Sequence, residues 1–132
     1  METLTTETIK KYQKKTIAQL RNKATEVFNK WIRERDKDKP CISCSGRVEQ
    51  AGHFYSAGHY ARLRYVEDNV HGQCIRCNYY KHGNLIEYRA GLVKRIGLKR
   101  LENLDNLAKL RGYKYDRFFL IEIIENYKIT SK

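Results

Sequence analysis

The chain has 132 residues, 41% hydrophobic and 32% charged, enough for one modest core. It contains no apolar run near the roughly 18 residues that a bilayer-spanning helix needs, and Met1-Glu2-Thr3-Leu4 lacks a basic stretch leading into an apolar one, so a cytoplasmic protein with no membrane partner is expected. Lys and Arg number 27 against 15 Asp and Glu, a formal charge of +12, which points to a polyanionic partner and fits poorly with a zinc module that binds only proteins.

From the N-terminus, Ile17, Leu20, Ala24, Val27, Phe28, Trp31 and Ile32 recur at three- and four-residue steps, while Lys14, Lys15, Arg21, Lys30 and Arg35 mostly avoid that stripe. The pattern predicts a long amphipathic helix with a core face and a basic, solvated face that can track phosphates. The run Asp36-Lys37-Asp38-Lys39-Pro40 ends it, because proline disfavours helical geometry in the residue before it and has no N–H to donate. Cys41 and Cys44 follow directly, spaced so that both thiolates can reach one metal.

Between Arg47 and Tyr60, Gly52 and Gly58 interrupt a segment holding His53, Phe54 and Tyr55, which predicts a short twisted β-hairpin. The second cysteine pair, Cys74 and Cys77, opens a predicted helix through Tyr79, Tyr80, Leu85, Ile86 and Tyr88 toward Ile96, with Gly83 as a point of interruption or bending. Tyr79, Tyr80 and Tyr88 read as packing residues rather than base-stacking ones. Past Gly97, leucines at 98, 101, 104, 107 and 110 recur every three residues, so their stripe drifts around a helix of 3.6 residues per turn. Asp116 is placed to cap a last helix whose apolar residues, Phe118 to Tyr127, cover more than one face and need burial by the rest of the chain or by a second copy. The organisation expected is a single domain over 1–132: a basic amphipathic helix in 1–39, a zinc-stabilised core in 40–97, and helices in 98–132. Residues 1–39 carry 11 basic and 6 acidic side chains, 40–83 carry 5 and 3, and 84–132 carry 11 and 6. Positive charge thus flanks the cysteine segment on both sides, as suits a grip on a phosphate backbone.

In a reducing compartment four thiols in two pairs are expected to hold metal rather than to form disulfides. Four thiolates leave zinc no open position for water, so this ion would be structural. Phosphodiester hydrolysis requires instead a base to activate water and a cation to offset charge on phosphate and leaving oxygen. His53 on the hairpin is the candidate base, and Asn78 after the last cysteine offers a hard amide oxygen suited to magnesium. Asn69 sits where its amide can tie the intervening loop to the hairpin. Each has a purely structural reading too, His53 as a hydrogen-bonded hairpin residue and the asparagines as turn caps.

Cys41-x-x-Cys44, His53, Asn69 and Cys74-Ile75-Arg76-Cys77-Asn78-Tyr79-Tyr80-Lys81 together resemble the HNH, or ββα-metal, endonucleases. More narrowly, Ala51-Gly52-His53-Phe54, Asn69-Val70-His71-Gly72-Gln73-Cys74 and Lys81-His82-Gly83-Asn84 are similar to the phage NinG family, also called Rap recombination endonucleases. The likeness covers about half the chain, roughly residues 38 to 100. It implies an α+β fold, mainly helical, around a zinc-braced ββα-metal motif, and cleavage of branched DNA such as Holliday junctions and D-loops during phage recombination, inside a phage-infected or lysogenic bacterium. By the resemblance His53 is the general base, Asn69 the loop-fixing asparagine, Asn78 a ligand of a catalytic Mg2+ or Mn2+, and Cys41, Cys44, Cys74 and Cys77 the zinc ligands.

Many HNH enzymes place a metal-binding aspartate directly before the base histidine, where this chain has Gly52. His82, four residues after Asn78 and on the same face of a regular helix, is the first candidate to replace it, followed by Asp68, His71 and Glu49. His59 and His71 are assigned no catalytic role. Arg62, Arg64, Arg76 and Lys81 are the candidate phosphate contacts. A homodimer with two active sites would suit a four-way junction, with the last helix as one seam and phage recombination proteins as further partners. The competing expectation is a zinc-stabilised nucleic-acid-binding protein without catalysis, which explains the charge and cysteines equally well.

Overall fold

In the computed structural model residues 4–129 are described; the reading of Met1 to Thr3 lies outside them. The fold is α+β and mostly helical, with one two-stranded sheet. The chain separates into two compact units, the first formed by the described residues up to Trp31 and from Lys114 onward, the second by Ile32–Tyr113. These units do not coincide with the segments 1–39, 40–97 and 98–132, because the last helix groups with the first two rather than with its neighbour in sequence.

In the first unit α1 spans Thr6–Lys11, where the Thr5 hydroxyl accepts the Thr8 N–H at 3.1 Å and so satisfies one of the helix's unpaired donors. Sequence periodicity did not reveal this helix, since six residues are too few to show a repeat. Helix α2, Ile17–Arg35, is the predicted amphipathic one: Leu20, Ala24, Phe28 and Ile32 are fully buried along one stripe, Val27 and Trp31 flank it half-buried, and Ile17 lies exposed. In α5, Arg117–Tyr127, the Asp116 carboxylate accepts the Phe119 N–H at 2.9 Å as predicted. Leu120, Ile121, Ile123 and Ile124 of α5 are buried by this chain itself, which leaves Phe118 exposed. Tyr12 donates to Glu125 at 2.5 Å, Arg117 donates to the carbonyls of Tyr12 and Lys15, and Tyr127 packs edge-on against Phe28 and Trp31.

The second unit carries the cysteines and the sheet. The hairpin predicted within 47–60 is corrected: β1, Gln50–His53, pairs antiparallel with β2, Val70–Gln73, in a register that sets Gly52 against His71 and His53 against Val70. The intervening residues form a long connection with two 3₁₀ turns, Ala61–Leu63 and Glu67–Asn69. Strand β2 is buried at all four positions, so its sequence shows no polar–apolar alternation to mark it. The helix predicted from Cys74 toward Ile96 is interrupted at Gly83, the point the sequence marked. A π-helical turn, Arg76–Tyr80, is followed by a break at His82, Gly83 and Asn84, all with positive φ, before α3, Leu85–Ile96. Helix α4, Leu98–Ala108, completes the unit.

The core of this unit gathers Ile42, Leu63, Tyr88, Leu92, Leu101, Leu104 and Ala108, with Phe54, Tyr55, Tyr60, Val66 and Ile96 packed around it. Of the three-residue leucine repeat, 101 and 104 turn inward while Leu98, Leu107 and Leu110 stay exposed, as a drifting stripe requires. Asp36, in the charge run that ends α2, is wholly buried. Its carboxylate accepts from Arg35 Nε at 2.7 Å, Arg35 Nη2 at 2.9 Å and the Gly72 N–H at 2.8 Å, and so fastens the end of α2 to β2. Burial works to raise the Asp36 pKa, but the Arg35 and Gly72 bonds outweigh it and hold the carboxyl below its usual range.

Candidate metal centre and hairpin site

The four cysteines converge. Their sulfur atoms all lie within 4.8 Å of one another, and Cys44 Sγ is 3.7 Å from Cys74 Sγ. Tetrahedral zinc with bonds of about 2.3 Å separates its sulfur ligands by roughly 3.8 Å, so the four thiols are close enough together to hold a metal such as zinc. Burial raises the Cys41 thiol and pushes Cys77 up to about 12, whereas Cys44, despite burial, is lowered by the Gly46 N–H and by neighbouring sulfurs. Four thiols so crowded are expected where a cation supplies the missing charge. Among the described residues this is the one grouping of three or more His, Cys, Asp or Glu side chains close enough to share an ion.

His53 ends β1. Its Nε2 lies 3.0 Å from the Arg64 carbonyl, which can only accept a hydrogen bond, so in the neutral ring the proton resides on Nε2 and Nδ1 is the unprotonated nitrogen. Burial, with the Arg64 charge, holds the His53 pKa below its ordinary value, so the imidazole is neutral at neutral pH.

Asn69 is fully buried at the end of the long connection, where every polar atom of its side chain is engaged. Oδ1 accepts the Tyr55 N–H at 2.8 Å, and Nδ2 donates to the carbonyls of Tyr55 and Leu63, both at 3.0 Å. These bonds pin both ends of the loop beside His53.

Asn78 stands on the π turn. Nδ2 donates to Gln50 Oε1 at 2.8 Å, tying it to β1, and Oδ1 lies 3.0 Å from the place where a Cβ on residue 52 would stand. His53, one residue on from Gly52, and Asn78 therefore border the same stretch of β1. Glycine at this position leaves no empty space: Gln73 Oε1 lies 1.8 Å from that Cβ position. An aspartate at 52 would collide with it, so glycine is required by packing.

Of the candidate replacements for that aspartate, His71 lies directly across the sheet from Gly52. His82 is corrected: it sits in the left-handed break at φ 52° after the π turn and shares no regular helix face with Asn78. Asp68 is ion-paired with Arg100, Glu49 accepts the Ile75 N–H at 3.2 Å, and His71 is buried with Nδ1 3.5 Å from the Tyr88 hydroxyl. His59 is exposed in a turn and bonded to Ser56. Arg62 covers the Tyr113 ring at 4.7 Å, Arg64 is half-buried, and Arg76 and Lys81 are exposed.

The tyrosines divide in a way that periodicity did not foretell. Tyr88 is fully buried, and its hydroxyl donates to the Gly52 carbonyl at 2.7 Å, so the helix core holds up the hairpin from beneath. Tyr79 and Tyr80, 68% and 70% exposed, pack on each other and belong to no core.

The family described as Bacteriophage Lambda NinG protein matches residues 2–132. The chain is similar to the ninG proteins of Salmonella phage P22 and Escherichia phage lambda, 41% identical to each over 86 residues. Each alignment covers 63% of this chain and 42% of the relative. The ninG protein of Escherichia phage 933W is also 41% identical over 86 residues. The chain thus spans less than half the length of these relatives. No solved structure matches it.

Proposed function

Because the chain belongs to the NinG family, we propose that it is an HNH-type endonuclease that cuts branched DNA, Holliday junctions and D-loops, in phage recombination, with a divalent cation assisting phosphodiester hydrolysis. The observation that carries this reading is the His53 imidazole, neutral and held through Nε2 by the Arg64 carbonyl so that Nδ1 is unprotonated, next to Gly52, which Asn78 borders. His53 Nδ1 takes the proton from a water attacking phosphorus in line with the departing 3′ oxygen, which leaves a 5′ phosphate. Asn69 keeps the loop from turning the imidazole away. Asn78 Oδ1 is the oxygen that would help hold Mg2+ or Mn2+, whose charge, when bound, stabilises the leaving oxygen. The cysteine cluster, filled with zinc, fixes the start of the π turn and so the position of Asn78.

Arg76 and Lys81, exposed beside Asn78, are the contacts best placed for phosphate, with Tyr79 and Tyr80 between them on the same turn. Recognition of a branch rests on backbone charge and DNA shape, consistent with a +12 chain, and two copies in a dimer would act on two strands.

The test incubates the zinc-loaded protein with labelled four-way junctions and matched linear duplex, with Mg2+, with Mn2+ and with EDTA. Nicking of junctions that needs a divalent ion and vanishes in His53→Ala supports the reading. Tight junction binding without nicking under any divalent ion makes the protein a binding module.

A further inference from the structure

Gln73 has no part in the scheme above, yet its side chain is the most constrained polar group near it. The residue is fully buried at the end of β2. Nε2 donates to the Gly83 carbonyl at 2.8 Å and to Ser43 Oγ at 2.8 Å. A carbonyl can only accept, so the amide cannot be turned over, and the oxygen must point the other way. There Oε1 finds no hydrogen-bond donor, an expensive state for a buried amide oxygen. It points at the place a residue-52 side chain would fill, 1.8 Å from the ideal Cβ, and Asn78 Oδ1 lies 3.0 Å from the same point. Two amide oxygens thus face one spot on β1 beside the candidate base.

We propose that Gln73 Oε1 and Asn78 Oδ1 together bind the divalent cation, Gln73 reaching from β2 to do what an aspartate at position 52 does in other HNH enzymes. The assignment rests on the nuclease reading above. Magnesium and manganese take hard oxygen ligands about 2.1 Å away in octahedral geometry, which sets neighbouring ligands about 3 Å apart, and magnesium retains several waters, so two protein oxygens suffice. The ion would satisfy the orphaned oxygen and relieve the repulsion between two converging carbonyl dipoles. Asn78 is half-exposed and Gln73 is not, so the ion enters from the Asn78 side. Both ligands are neutral, unlike a carboxylate, so the site lacks charge to hold a dication until a DNA phosphate joins it. Cation affinity is accordingly expected to rise at least tenfold when DNA is bound.

The direct test is anomalous diffraction from crystals of the zinc-loaded full chain with a four-way junction and Mn2+, in the His53→Ala background to block cutting. A manganese peak about 2.2 Å from Gln73 Oε1 and Asn78 Oδ1 is expected. A peak held by other residues, or an Asn78 amide nitrogen donating to Gln73 Oε1 with no ion between, overturns the assignment. In parallel, free Mn2+ is followed by electron paramagnetic resonance as it is titrated into the complex. Gln73→Met should weaken binding at least tenfold while zinc content stays at one per chain. Gly52→Asp with Gln73→Ala, which opens room for the carboxylate, should restore binding. A folded, zinc-loaded Gln73→Met that binds Mn2+ within twofold of the parent sinks the ligand role but leaves the nuclease reading standing. If unmutated protein neither binds Mn2+ with DNA nor cuts junctions, the nuclease reading itself fails.

Discussion

At the scale of single residues, the account depends on which atoms have their hydrogen bonds made. Asn69 is saturated, so Asn69→Ala removes three bonds, one of them to the Leu63 carbonyl. The Leu63 carbonyl keeps the Val66 N–H, so the Tyr55 N–H and carbonyl are the groups stranded. A loss of about 1–3 kcal/mol is expected in urea unfolding, along with a fall in cutting rate larger than the stability loss explains. Asp36 behaves similarly with charge. Asp36→Ala strands the Gly72 N–H and takes from Arg35 its buried carboxylate, though Arg35 keeps the Val70 carbonyl, and a cost of about 3 kcal/mol is expected from the same measurement. The cysteines, His53, Asn69 and Asn78 were legible in the sequence because their residue types and order are unusual. The burial of Asp36 and the reach of Gln73 were not, since a charge in a lysine-rich run and a glutamine before a cysteine carry no pattern that distinguishes them from surface residues.

At the scale of elements, the long helices α2 and α5 were readable from periodicity and from the capping Asp116, because each buries a stripe long enough to repeat. The four-residue strands were not, because β2 is buried on both faces and its partner lies beyond the long connection. The break after the π turn was foreshadowed only by Gly83. There the backbone has φ 95°, and the Gly83 N–H donates to the Cys77 carbonyl at 2.9 Å while its own carbonyl receives Gln73. Gly83→Ala is therefore expected to cost about 1–2 kcal/mol through the left-handed geometry, lowering the thermal midpoint by several degrees in calorimetry. A shift in Gln73 should follow, so the same variant should lose cation affinity.

At the scale of the whole molecule, charge and metal dominate. Removing zinc with a thiol-compatible chelator should unfold the 32–113 unit as judged by loss of near-ultraviolet circular dichroism, since the ion ties together two cysteine pairs 30 residues apart and adds to the few hydrogen bonds that link their segments. Acid should act through the buried histidines. His71, lowered to about 3 chiefly by burial, stays neutral in the folded protein at pH values where the unfolded chain takes up a proton. Its contribution is thus fully present above the unfolded value near 6.5 and is lost progressively as pH falls from there toward 3. Thermal midpoints measured from pH 7 to pH 4 should decline accordingly, and His71→Gln should flatten the decline.

The central claim is that the His53 imidazole, neutral through burial, is the base for hydrolysis. Single-turnover cutting of a labelled four-way junction in Mg2+, followed from pH 5 to pH 8.5, tests it most directly. The expected profile rises to a plateau with a midpoint below the ordinary histidine value, and His53→Ala loses the rise and falls by about 10²–10⁴-fold. Cutting by His53→Ala at the parental rate, with the same dependence on pH, would contradict the account.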